Sequence, residues 1–121
     1  MDTKLLFVDD DLAVLSAYQR MLRQSGYQCL FESDPRAVLS NTDLSDIRVM
    51  FVDQRMPGLS GAQLLDALHG RFPLMKRVLL SGDVITAKTE LAEAVSLSAV
   101  LAKPCSKMAL LNCIRQLLGE Q

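Results

Sequence analysis

Three consecutive carboxylates, Asp9-Asp10-Asp11, follow the apolar run Leu5-Leu6-Phe7-Val8, and a fourth, Asp53, follows Val49-Met50-Phe51-Val52. Two more apolar runs end in groups of complementary chemistry. Val78-Leu79-Leu80 leads to the hydroxyl of Ser81, and Ala99-Val100-Leu101-Ala102 leads to the ammonium of Lys103. Carboxylates clustered without histidine or thiolate partners form an all-oxygen ligand set, which suits Mg²⁺. Magnesium keeps several waters and usually takes one or two carboxylates, so room remains for phosphate oxygens. A carboxylate held beside such an ion can act as a nucleophile toward phosphorus and give an acyl phosphate. The metal and a lysine would neutralise charge on the transferring group, and Ser81 could donate a hydrogen bond to it.

Each residue alone has a plainer use. An Asp at a strand-to-helix junction often caps the next helix, which is the favoured reading of Asp9 or Asp11 taken singly. A lone Lys103 is ordinarily a surface charge, and Ser81-Gly82 is ordinarily a turn. The chemical reading rests on joint placement, and it needs a scaffold that gathers four run ends at one edge.

The pattern of the chain supplies that scaffold. A fifth run, Cys29-Leu30-Phe31, joins the four above, and all are continuously apolar, as strands covered on both faces must be. Amphipathic segments lie between them. Val14, Ala17, Tyr18 and Met21 share one helical face, with Gly26 as the stop. Leu64, Leu65, Leu68 and Phe72 mark another helix, starting near Ser60 as N-cap. Leu110, Cys113, Ile114 and Leu117 mark the last, between Ser106 and Gly119. Weaker patterns place a second helix at about Pro35 to Asn41 and a fourth at about Thr86 to Val95. Five strand-then-helix units predict an α/β fold: a single flavodoxin-like (βα)5 domain over residues 1–121, with a parallel sheet of order 2-1-3-4-5 and helices on both faces. Ligands in such sheets bind beyond the carboxyl ends of the strands, at the switch point.

Composition narrows the partners. The chain has 121 residues and a net charge of −1, which argues against a direct nucleic-acid or membrane surface. Its apolar runs are far shorter than a membrane span, and Met1-Asp2-Thr3-Lys4 is wrong for a signal peptide. Cys29, Cys105 and Cys113 are odd in number and lack a CxxC pair, so a reducing, cytoplasmic setting is expected rather than disulfides or zinc. Cys29 and Cys113 read as core, and Cys105 is the one cysteine that could be exposed. His69, the sole histidine, is expected to be solvated on the polar side of the third helix.

These residues resemble the receiver domains of two-component response regulators, the CheY-like family. The resemblance covers essentially the whole chain. It is carried by Phe7-Val8-Asp9-Asp10, by Asp53-Gln54-Arg55-Met56-Pro57-Gly58-Leu59-Ser60-Gly61, by Ser81-Gly82 and by Lys103-Pro104. It implies that Asp53 is the phosphoacceptor and Asp10 the principal acidic Mg²⁺ ligand, with Asp9 in the second shell or bound through water. It also implies a metal ligand from the backbone carbonyl of Arg55, phosphate contact by Lys103, a cis Lys103-Pro104 bond, and a switch hydroxyl on Ser81. Mn²⁺ could replace Mg²⁺. The implied phosphodonor is a sensor histidine kinase or phosphotransfer protein. The implied output surface lies around the fourth helix, fifth strand and fifth helix, where an effector or a second copy could dock.

Four positions depart from the family pattern. Val100 stands where many receivers carry an aromatic ring, Cys105 stands where Phe is common, and Ser96-Leu97 replaces a usual Gly-Ala. None touches the phosphorylation chemistry, but an aromatic rotamer switch cannot operate here. Arg55 and Asp83 lie near the expected path of attacking water. A degenerate receiver used only for protein contacts is disfavoured because the acidic pair, Asp53, Ser81 and Lys103 are all present. A flavin or nucleotide binder is disfavoured because aspartates, not a Gly-rich loop, follow the first strand. A dehalogenase-like phosphatase would use the Asp9/Asp11 spacing, but it would leave the segment after Asp53 unexplained. The chain end at Gly119-Glu120-Gln121 fits both a stand-alone regulator and a piece of a longer protein.

Overall fold

Apolar runs and amphipathic segments alternate along the chain as strands and helices in a computed structural model, which describes residues 3–40, 43–88 and 97–120. The elements are β1 (Lys4–Val8), α1 (Leu12–Leu22), β2 (Gln28–Glu32), α2 (Pro35–Ser40), β3 (Ile47–Asp53), α3 (Gly61–His69), β4 (Lys76–Ser81), α4 (Val84–Thr86), β5 (Ala99–Ala102) and α5 (Lys107–Leu118). All strands are parallel, in the order β2-β1-β3-β4-β5. This is the doubly wound, CheY-like flavodoxin arrangement expected from the sequence.

Alternate side chains of the central strands β1, β3 and β4 feed two separate cores, because successive Cβ atoms point to opposite faces. Leu6, Val8, Met50, Val52 and Leu79 pack with Leu64, Leu65 and Leu68 of α3 and Val38 of α2. Leu5, Phe7, Val49, Phe51 and Leu80 pack on the other face with Leu15, Tyr18 and Leu22 of α1 and Leu110, Cys113 and Ile114 of α5. Phe7 centres the second core, with its ring 4.6 Å from Phe51, 5.5 Å from Phe31 and 5.1 Å from Tyr18. Covering both faces is what makes these central strands continuously apolar. The edge strand β2, expected to be covered twice, instead leaves Leu30 41% exposed while Cys29 and Phe31 face the second core.

Register then sets where the polar ends fall. Val8 pairs with Val52, Asp53 with Leu80, and Ser81 with Ala102. Asp9, Asp53, Ser81 and Lys103 therefore all leave the carboxyl edge of the sheet at neighbouring strands. The ladders continue one residue past the ends of β3 and β5. Backbone hydrogen bonds run from Gln54 to Leu80 (3.0 Å) and from Lys103 to Ser81 (3.0 Å).

Gly61 lets α3 begin directly against the end of β3. A Cβ there would lie 2.5 Å from the Asp53 carbonyl oxygen and 2.8 Å from Leu79 Cδ1. Neither backbone nor core can yield cheaply, so Gly61→Ala is expected to cost about 1–3 kcal/mol. Chemical denaturation would read this as a lower midpoint at an unchanged slope.

The structure corrects several sequence expectations. The buried line of α1 is Leu15, Tyr18 and Leu22; Val14, Ala17 and Met21 are only half-buried flanks. That helix ends at Leu22, ahead of Gly26, which takes φ +88° in the following turn. Phe72 lies beyond the end of α3 and packs on the core from the loop. The fourth helix begins at Val84, two residues before the expected Thr86, because Asp83 caps it. Positions 89–95 of that expected helix fall outside the described residues, as do Ser96 and position 41. His69 is half-buried rather than solvated, with its Nδ1 enclosed and lacking a hydrogen-bond partner. Among the described residues, no helix is long and apolar enough to cross a membrane.

Candidate functional site

The three carboxylates that the register brings to one edge form a single group. Asp9, Asp10 and Asp53 each offer an oxygen within 4.8 Å of the others. Asp9 and Asp53 are buried, while Asp10 is exposed. Lys103 closes the group from the adjacent strand end, with its Nζ 2.9 Å from Asp9 Oδ2 and 3.1 Å from Asp53 Oδ1. The Lys103-Pro104 peptide bond is cis, as the family resemblance implied. An open cleft of about 520 Å³ lies over these residues, lined also by Arg55, Ser81 and Asp83.

Asp11 takes the plain role weighed for it: its side chain caps α1 by accepting the Ala13 N–H at 2.9 Å. Asp9 does not cap a helix in this way. Its Oδ1 accepts the Asp11 N–H at 2.9 Å, which leaves Oδ2 for Lys103. One loop thus spends Asp11 on helix α1, aims Asp9 at the lysine and leaves Asp10 open to the cleft.

Charges so close in a sheltered place alter one another. Burial pushes the Asp53 carboxyl above its ordinary pKa, the hydrogen bond from Lys103 opposes this, and the negative charge of Asp9 adds to the rise. Burial works against the Lys103 ammonium, but its hydrogen bonds to Asp9 and Asp53 outweigh that and hold its pKa above the usual lysine value. One cation shared between two buried carboxylates leaves negative charge in excess. That excess is what a divalent cation relieves, and three convergent carboxylate oxygens match the donor set Mg²⁺ prefers.

The raised pKa of Asp53 has a sign that can be tested without metal. A carboxyl whose folded-state pKa is raised stabilises the fold most at pH below its unfolded pKa, and that contribution is lost as pH rises through the folded pKa. Asp53→Asn should therefore raise the thermal midpoint of the metal-free protein at neutral pH, while Lys103 keeps Asp9 as partner. The gain should shrink on acidification, when Asp53 itself is neutral. Thermal melts at two pH values check both points.

Ser81 is brought to the cleft, and its hydroxyl is engaged there by the backbone of Asp83. It accepts the Asp83 N–H at 3.0 Å and donates to the Asp83 carbonyl at 3.2 Å. Asp83 in turn caps α4, accepting from Thr86 N at 3.0 Å and from Thr86 Oγ1 at 2.7 Å. These bonds hold its carboxyl below the usual range, with the Arg55 charge adding to the effect. Cys105 is buried rather than exposed, and burial pushes its thiol pKa up, so a reactive thiolate is not expected there. Cys113 is likewise buried, its thiol pushed up to about 11 by burial, as its core role predicts. Cys29 is half-buried on the sheet.

Two supporting residues escaped the sequence reading. Gln54 Oε1 accepts the Ala62 N–H at 2.9 Å, which ties the residue after Asp53 to the start of α3. Gln63 completes a capping box with Ser60, and the spacing Ser60-Gly61-Ala62-Gln63 carried that signal. Nothing local distinguishes Gln54, whose partner is fixed only once β3 and α3 meet.

Comparison with known proteins gives the family and the fold. Residues 5–115 match the family profile of the response regulator receiver domain. The transcriptional regulatory protein FixJ of Azorhizobium caulinodans is 33% identical over 117 residues, covering 93% of this chain and 54% of its own length. The chain thus spans about half of FixJ, and a still smaller part of several other curated relatives. Among solved structures, the chemotaxis protein CheY4 of Vibrio cholerae superposes with a TM-score of 0.88 at 22% identity, covering 97% of this chain and 99% of that one, which shows a common fold. The receiver domain of the sensor histidine kinase PA1611 from Pseudomonas aeruginosa, described with a magnesium ion coordinated in its active-site cleft, has a TM-score of 0.84 at 18% identity, covering 99% of this chain and all of that one. By sequence profile and by fold, this chain belongs to the response regulator receiver domain family of two-component signalling.

Proposed function

We propose that this receiver is phosphorylated on Asp53 in a Mg²⁺-dependent reaction and acts as a cytoplasmic signalling switch. The supporting observation is the convergence of Asp9, Asp10 and Asp53 oxygens within 4.8 Å, with Lys103 at 3.1 Å from Asp53. Asp10 and Asp53 would hold the ion with the Arg55 backbone carbonyl, and Asp9 would act from the second shell or through a water. Mn²⁺ would fit the same oxygen set. Bound there, the cation supplies charge neutralisation for the transferring phosphoryl group.

The chain's own residues do the rest. An Asp53 oxygen attacks phosphorus in line as the bond to the donor nitrogen of a phosphohistidine breaks. Lys103, already bonded to Asp53, stabilises negative charge on the phosphoryl oxygens. The donor is a sensor histidine kinase or phosphotransfer protein. New charge at Asp53 then draws Ser81 and Lys103 and shifts the population of the surface formed by α4, β5 and α5. On α5, Met108 is 74% exposed, beside Leu111, Lys107 and Arg115. An effector domain or a second copy of the chain would dock there. Arg55 and Asp83, both lining the cleft, are placed to affect how water reaches the phosphorylated site.

Incubation with Mg²⁺ and a small acyl phosphate, followed by intact-mass measurement, tests the reading. A single phosphoryl adduct that hydroxylamine removes is expected, and it should not form when the cation is chelated. Failure to form any adduct with Mg²⁺ present would leave only a protein-interaction role.

A further inference from the structure

The Ser81 hydroxyl is occupied in a particular way. A hydroxyl has one proton to donate and two lone pairs to accept with. Ser81 spends its donor and one acceptor on a single residue, the backbone carbonyl and N–H of Asp83. Turning toward Asp53 would break both bonds together. Asp83 is itself fixed from the other side. Its carboxylate accepts from Thr86 twice, through the backbone N–H and the hydroxyl, and its carbonyl also accepts the Ala87 N–H at 3.1 Å. The side chain of Asp83 thus holds in place the backbone that holds Ser81.

We infer that Asp83 is a positioning residue that latches the Ser81 hydroxyl in its turn, so that moving Ser81 toward a phosphoryl group on Asp53 requires loosening the cap of α4. The inference rests on the proposed phosphoacceptor role of Asp53, and it adds a route by which the event at Asp53 reaches α4. The route needs no aromatic ring at Val100. Phosphorylation favours Ser81 pointing inward, and the cap favours Ser81 pointing back. The two compete for one hydroxyl. A ligand that needs the inward state binds more weakly by the fraction of molecules already in it, so weakening the latch should tighten binding.

Beryllium fluoride with Mg²⁺ serves as the phosphoryl mimic, its affinity read by titration on the full chain. Asp83→Ala, which removes the cap, is expected to bind it roughly 2- to 10-fold more tightly, the range a lost N-cap allows. Asp83→Ser removes the same negative charge but can still cap, so it should stay near the wild-type affinity. Thr86→Val deletes one of the two bonds to the Asp83 carboxylate and should give a smaller gain in the same direction, which keeps the test open if Asp83→Ala folds poorly. In a Ser81→Ala background the Asp83→Ala gain should vanish, since nothing remains to release. The latch is overturned if Asp83→Ala and Thr86→Val leave affinity unchanged or weaker, if Asp83→Ser gains as much as Asp83→Ala, or if the gain persists without Ser81. A wild-type chain that takes up neither beryllium fluoride nor a phosphoryl group overturns the Asp53 reading and the latch with it. Normal wild-type binding with no Asp83 effect overturns the latch alone.

Discussion

Asp53→Asn is expected to abolish the phosphoryl adduct completely, with the fold intact. Asparagine matches aspartate in size, so the buried position at the end of β3 stays filled and the pairing of residue 53 with Leu80 is kept. What is lost is the anionic nucleophile. An amide oxygen cannot form the acyl phosphate, and among the described residues no other carboxylate stands in the same relation to Lys103 and the sheet edge. Asp9 comes nearest, at 2.9 Å from Lys103, but one of its oxygens is held by the Asp11 N–H and the other by the lysine. Intact mass after treatment with Mg²⁺ and acyl phosphate should show unmodified protein only, while circular dichroism matches the wild type. An adduct of normal size on the variant would move the phosphoacceptor elsewhere.

Lys103→Met should have the next largest effect, and its two readouts should move in opposite directions. The methionine keeps most of the side chain's apolar length and removes the charge. Phosphorylation by acyl phosphate should slow roughly 100-fold or more, the usual consequence of deleting one preorganised partner of developing charge. Mg²⁺ should meanwhile bind more tightly, because Asp9 and Asp53 lose the cation that now offsets them. Generalised damage to the site would weaken both. Metal titration and the rate of adduct formation, measured on the same preparation, separate the two cases.

Much of this site was legible before any coordinates, and the reason is topological. In a parallel sheet with both faces covered, an apolar run followed abruptly by a polar group marks a strand's carboxyl end. Asp9, Asp53, Ser81 and Lys103 all carry that mark, and strand order plus register brings them together. Strand starts were read less well. Arg48, Lys76 and Arg77 belong to strands although they are charged, because hydropathy reports burial whereas a strand is defined by its hydrogen-bond ladder. The face of α1 was misjudged for a related reason. Leu12, Val14, Leu15, Tyr18, Met21 and Leu22 offer two overlapping apolar lines, and only docking into the core around Phe7, beside β2 and α5, selects Leu15, Tyr18 and Leu22. Phe72 continued the periodicity of α3 past the real end of the helix and still found the core from a loop.

Side-chain hydrogen bonding was the least legible part. Its place at the end of an apolar run, with the family resemblance, suggested that Ser81 could serve the phosphoryl site, but not that it would be engaged by Asp83. That engagement depends on the turn after β4 and on Asp83 capping α4, which begins earlier than its apolar pattern suggests. The fate of Cys105 was hidden in the same way. It sits in the stretch Lys103-Pro104-Cys105-Ser106-Lys107, with no apolar run to mark it, and its burial comes from the core it shares with residues of α1 and α5.

Borohydride reduction of the freshly phosphorylated wild-type protein, followed by proteolysis and peptide sequencing by mass spectrometry, locates the acyl phosphate chemically. Homoserine should appear at position 53, only in samples that received both Mg²⁺ and phosphodonor. Homoserine at residue 9, 10 or 11, or a phosphoryl group stable to hydroxylamine on any other side chain, would contradict the assignment of Asp53 as the residue that carries the signal.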